Sequence, residues 1–163
     1  MRKRLLAKTF LTASILMIIT QSAIAENQFK TKWREVFVTI ESRSIPVKNM
    51  EGLALGIMEQ RGFAFYEDGS VATITAWLTY ESHGQNTKYN GYVLYSFRDG
   101  ATQIARFEGG GDAIGKQKGH FNFIKGTKQF DGIKGGGTFT AEGFPPKADL
   151  YVDVKAEYSI VKK

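Results

Sequence analysis

The sequence predicts an all-β domain, a closed antiparallel up-and-down barrel of about eight strands that follows an N-terminal signal peptide. Three observations carry that prediction. Residues 71–81 alternate with period two: Ala72, Ile74, Ala76, Leu78 and Tyr80 fall on one face, and Thr73, Thr75, Trp77, Thr79 and Glu81 on the other. No segment after residue 25 repeats apolar residues at the i, i+3, i+4, i+7 spacing of a helix. All 18 glycines lie beyond that point, and two of them follow aspartate between strand-like runs.

The N-terminus has the three-part layout of a secretory signal. Arg2, Lys3, Arg4 and Lys8 precede an apolar run from Phe10 to Thr20, and Ala23-Ile24-Ala25 supplies small residues for cleavage. The apolar run is about half of the roughly 20 residues a spanning helix needs, which favours a cleaved leader over an anchor. The expected division is a signal peptide over 1–25 and a single barrel domain over 26–163, exported to the periplasm or secreted. Removing residues 1–25 takes four of the 22 basic residues and none of the 16 acidic ones, so the net charge falls from +6 to +2. That balance, with no basic block, excludes the electrostatic footprint of a nucleic-acid partner.

The chain has no cysteine, which removes thiol catalysis, Cys-based zinc sites and disulfide staples. The mature length of 138 residues is enough for a core that folds without such staples.

The elements follow in order. Strands are expected around 33–41, 53–66, 71–81, 89–98, 101–108, 115–124, 136–143 and the C-terminal run ending at Ile160. In the last of these, Val152, Val154, Ala156, Tyr158 and Ile160 oppose Asp153, Lys155, Glu157 and Ser159, the pattern of one buried and one wet face. Glu67-Asp68-Gly69-Ser70 and Arg98-Asp99-Gly100-Ala101 read as hairpin turns, because Asp-Gly tolerates the positive φ values of a tight reversal. Pro145-Pro146 reads as a stiff loop before the final strand. The charged outer face of that strand argues against a membrane barrel, so no membrane span is expected in the mature protein.

The stretch from Gly119 to Phe139 is the most distinctive, centred on Gly126-Thr127-Lys128-Gln129-Phe130-Asp131-Gly132-Ile133-Lys134-Gly135. Phe130 and Ile133 flank Gly132, so one turn can aim both inward as a plug for one end of a barrel, with Gly126, Gly132 and Gly135 permitting the bends. A phosphate-binding reading of these glycines fails, since no Gly-Lys-(Ser/Thr) occurs and no helix follows. The stretch resembles the Gly-Thr-Gly-(Arg/Lys)-Phe-x-Gly-(Ile/Ala)-x-Gly loop shared by allene oxide cyclases, dirigent proteins and their uncharacterised bacterial relatives. Phe97-Arg98-Asp99-Gly100, Phe107-Glu108-Gly109 and Tyr151-Val152-Asp153 are similar to further segments of the bacterial relatives. The resemblance spans roughly residues 60–160 and implies an eight-stranded, calycin-like barrel with a central cavity, often oligomeric in plants. Lys128 stands where the family has Gly and Gln129 where it has a basic residue, and the cyclases' catalytic residues have no counterpart placed by motif.

No motif assigns a catalytic residue. His83 and His120 are too few and too far from regular carboxylate spacings for a metal site, and no metal or cofactor is expected. Ser70, Ser82, Ser96 and Ser159 lack a nucleophile-elbow context. The candidate ligand-binding set is Trp77, Tyr95, Arg106, Glu108 and His120. Arg106 and Glu108 alternate on one strand face. Facing inward they would have to pair or meet a ligand, and facing outward they would form a weak surface pair. Phe107 between them is the natural core residue, which favours the outward placement.

Aromatic residues, 12 Phe, 7 Tyr and 2 Trp, either line a pocket or fill the barrel, and filling is the commoner fate at this size. Whether the protein is an enzyme is open. The leading reading is an exported soluble barrel that holds a small apolar or amphipathic ligand. The alternatives are a cyclase- or dirigent-like enzyme that steers a reactive ligand, and an envelope interaction protein, a homo-oligomer among its forms.

Overall fold

The computed structural model describes residues 28–112, 115–144 and 149–161. The signal peptide expected over 1–25 and the Pro145-Pro146 loop lie outside the described residues.

Alternation builds the fold directly. The strands are β1 (Gln28–Pro46), β2 (Leu53–Tyr66), β3 (Val71–His83), β4 (Asn86–Phe97), β5 (Thr102–Gly111), β6 (Lys116–Gly126), β7 (Ile133–Phe144) and β8 (Asp149–Ile160), with a short 3-10 turn at Lys128–Phe130. Each pairs antiparallel with its sequence neighbours, and β1 pairs β8, so the sheet closes as a barrel in simple sequence order. Closure removes the unpaired edges that would otherwise invite another chain. The expected strands are all present, and β1, β4 and β7 begin several residues earlier than their sequence patterns suggested.

At the β1–β8 seam, two directly opposed pairs carry opposite charge, on either side of the like-charged Lys32 and Lys155. Lys30 faces Glu157 with its Nζ 3.2 Å from the carboxylate, and Arg34 faces Asp153 with its Nε at 2.9 Å. These pairs are exposed and add little stability, but they fit only one register. Two bulges shape the wall. The β1–β2 register skips Ile40, and the β5–β6 register skips Ile124, and both side chains point to solvent. Each extra residue bends its strand, the device by which a sheet is coiled tightly enough to close.

The Asp-Gly turns differ from the expectation in one respect. Gly69 (φ +82°) and Gly100 (φ +79°) are left-handed, whereas their aspartates are not among the residues with positive φ. In the first turn, Gly69 N–H donates to the Tyr66 carbonyl and Tyr66 N–H to that of Ser70, the arrangement of a turn followed by a glycine bulge. The aspartates serve as acceptors instead. Asp68 Oδ1 takes the Ser70 N–H and hydroxyl at 2.9 and 2.6 Å, and Asp99 Oδ1 takes the Ala101 N–H at 2.9 Å. Those bonds hold both carboxyls below the usual carboxylate range.

The Gly126–Gly135 segment closes one end of the barrel. Phe130 packs on Phe97 at a ring separation of 5.0 Å, and Ile133 is buried. Lys128, standing where the resembling families have glycine, adopts φ +57° and reaches the Asp99 carbonyl with its ammonium, while Gln129 Nε2 donates to Asp99 Oδ2 at 2.9 Å. The turn after β4 and the loop after β6 are thereby tied together.

Gly132 is required twice over. Its φ is +79°, and a β-carbon there would overlap the carbonyl oxygen of Val161. Gly69 has the same conformation with open space around it. Gly69→Ala should therefore cost about 1 kcal/mol, the left-handed penalty alone, and Gly132→Ala at least about 2 kcal/mol more. Denaturant midpoints of the two variants test this, and equal losses would show that the Val161 contact relaxes freely.

Candidate functional site

The inward faces of the strands make two layers. In the closed half, Trp33 stacks on Tyr66 at 5.1 Å, Tyr66 packs on Phe97 at 5.5 Å, and Phe97 meets Phe130, so rings fill the bore. In the other half the bore is open. A cavity of about 410 Å³ runs from the β3–β4 hairpin end inward, walled by Phe37, Leu78, Val93, Phe107 and Phe139 and floored by Glu35, Tyr95, Phe121 and Val154. The aromatic side chains thus do both things the composition allowed, filling one half of the barrel and lining the other. The cavity falls in the size range of small-ligand sites.

Glu35 is the chemically distinctive group. It lies on β1 between Trp33 and Phe37, and alternation turns all three inward, leaving Glu35 only 4% exposed. Its Oε1 accepts two hydrogen bonds, from Trp33 Nε1 at 2.6 Å and from the Tyr95 hydroxyl at 2.7 Å. No hydrogen bond to Oε2 is found among the described residues. Burial pushes the carboxyl up from 4.5 to about 7, against the lowering effect of the two donors. The neighbouring phenols move the same way: burial, then the nearby Glu35 charge, raise both Tyr95 and Tyr66 well above their ordinary value. At neutral pH the floor therefore holds one group able to give or take a proton.

The remaining polar groups are graded along the bore. Gln60 donates to the Thr39 hydroxyl at 3.3 Å, and Ser82, Thr87 and Gln117 stand nearer the open end. Near the mouth the rings of Tyr80 and Phe139 lie over inward-facing Gly56 and Gly119, at positions where a β-carbon would overlap them. The Tyr89 hydroxyl, buried in this wall, has no hydrogen-bond partner among the described residues. Among those residues no cluster of three metal-ligating side chains occurs.

Of the residues singled out from the sequence, only Tyr95 lines this cavity. Trp77 lies on the outer face of β3 and is 46% exposed. Arg106, Glu108 and His120 also point outward, on β5 and β6, where His120 Nε2 sits 3.0 Å from Glu108 Oε1 across directly paired positions. Glu108 and His120 border a depression of the outer wall together with Lys118 and Thr138, and Arg106 does not. Sequence reasoning missed Glu35. The signal was present, since an acid two residues from Trp33 and two from Phe37 shares their face in any strand.

No family model matches the chain, and no curated protein does. Among solved structures it is similar to the pterocarpan synthase dirigent protein GePTS1, with a TM-score of 0.51 and 13% sequence identity over 96% of this chain and 100% of that one. At that identity the likeness is one of fold, and this chain has the barrel fold of a dirigent protein.

Proposed function

We propose that the protein is a dirigent-like barrel that admits a small, largely apolar ligand through its open end and presents it to Glu35. The observation that carries this reading is a single buried carboxyl at the floor of an otherwise carbon-rich cavity, titrating near neutrality. A solid core would have no use for it. Burying a carboxyl costs stability unless it is fully satisfied, and here both hydrogen bonds fall on one oxygen and none on the other among the described residues. Such groups recur where a ligand is to be protonated, deprotonated or polarised away from water.

The solved dirigent protein is a pterocarpan synthase. By analogy, this barrel acts on a reactive small molecule by shaping its conformation, with Glu35 as the proton donor or acceptor. The leader-like sequence over 1–25 is consistent with work outside the cytoplasm.

The test is saturable binding of the neutral naphthalene probe prodan, read as a blue shift of its emission. Leu78→Trp places a large ring in the middle of the cavity and is expected to abolish the shift, with circular dichroism confirming that the barrel is intact. Absence of a shift with the wild-type protein, or undiminished binding by Leu78→Trp, would refute the reading.

A further inference from the structure

Building on the reading that the cavity holds a ligand, we infer that its preferred occupant is a protonated amine. It is an alkyl- or arylalkylammonium whose head meets Glu35 Oε2 and whose apolar body lies along Phe37, Leu78, Val93 and Phe121.

Among the described lining residues Glu35 alone carries a formal charge, and none is Lys, Arg or His. The groups facing it from the packed strands are the Trp33 indole on its own strand, Tyr66 at the end of β2, Tyr95 on β4, and carbon from Phe121, Val152 and Val154. Tyr66 and Tyr95 stay neutral, since burial and the nearby carboxylate raise both. Asp68 and Tyr158 act on Tyr66 as negative or neutral groups and supply no cation. A ligand carboxylate at this floor would face Glu35 with nothing to neutralise either. A hydroxyl would donate a single hydrogen bond, and a carbonyl could accept one only from the protonated carboxyl. An ammonium would give Oε2 a charge-assisted bond whose attraction offsets the cost of keeping the buried carboxylate ionised.

The geometry is favourable for that contact. Both protein donors converge on Oε1, so Oε2 is the oxygen left for a partner, and Glu35 itself forms part of the cavity surface. An ammonium has three donors and no acceptor, which matches a carboxylate oxygen that accepts no hydrogen bond from the described residues. Binding follows a linked proton. The free carboxyl is about half protonated near pH 7, and an incoming cation holds it ionised, so that proton passes to water. An alkylammonium, with a pKa near lysine's value of about 10.4, keeps its own charge throughout this range. Amine affinity should thus rise roughly tenfold per pH unit up to neutrality and level off above it.

The experiment uses prodan as reporter and three competitors of equal chain length: octylamine, octanol and octanoate. At pH 8 octylamine is expected to displace the probe at a concentration at least about tenfold lower than octanol, with octanoate weakest. In Glu35→Gln the ratio of octylamine to octanol should collapse to about one, because a neutral amide replaces the carboxylate. Prodan binding with no amine preference, or a preference that survives Glu35→Gln, overturns this inference and leaves the ligand-binding barrel standing. Failure of prodan and all three competitors to bind overturns both.

Discussion

Glu35→Gln is expected to stabilise the barrel at pH 8 by about 3 kcal/mol and to leave its stability near pH 4 unchanged. The folded carboxyl sits at about 7 against an ordinary 4.5, so between those values the folded state holds a proton that the unfolded state has lost. Stability from this group is therefore complete below about pH 4.5. It declines as pH rises through the window and is gone once the folded carboxyl has ionised, above about 7. Glutamine has no proton to lose, and its carbonyl can accept from both Trp33 and Tyr95 in the place of Oε1. Denaturant midpoints of the two proteins across pH 4 to 9, at constant m-value, measure the effect. The difference between variants isolates Glu35 from every other titrating group. Parallel profiles would mean that Glu35 is better solvated than its burial indicates.

Trp33→Ala should be the most damaging core substitution, at about 3–5 kcal/mol. Trp33 is buried, stacks on Tyr66, and meets Tyr95 and Phe121 edge-on at 5.9 and 5.8 Å. Its loss opens the layer between plug and cavity and withdraws a donor from Glu35. Trp33→Phe separates the two consequences. It keeps a ring in the stack but removes the indole N–H, one of the two bonds that lower the carboxyl. The pH window of Glu35 should then extend upward. A titration midpoint unmoved by Trp33→Phe would show that the indole does not hold the ionised form.

The strands were legible because each has one wet and one dry face, and period-two alternation is a local property. The C-terminal strand reads correctly from Val152 to Glu157, with Val152, Val154 and Ala156 buried, but Ser159, expected on the wet face, is buried where the strand nears its end. The chemistry was harder to read for a physical reason. The Tyr95 hydroxyl and Glu35 are 60 residues apart in sequence and meet only through the register of a closed sheet. Arg106 and Glu108 attracted notice as an alternating charged pair, yet the same alternation turns Phe107 into the bore and both charges out. Glu35 drew none, though it obeys the same rule with the opposite result.

The wall near the mouth has a consequence for how such a barrel could diversify. Tyr80 occupies space that Gly56 leaves vacant, so a methyl group added there must displace the ring, whereas at Gly119 it would also meet the Glu108 carbonyl oxygen. Girth of the aperture and reactivity of the floor are thus governed by different residues on different strands. A lineage could resize its intake by a glycine-to-alanine step at Gly56 while the acid beneath stays untouched.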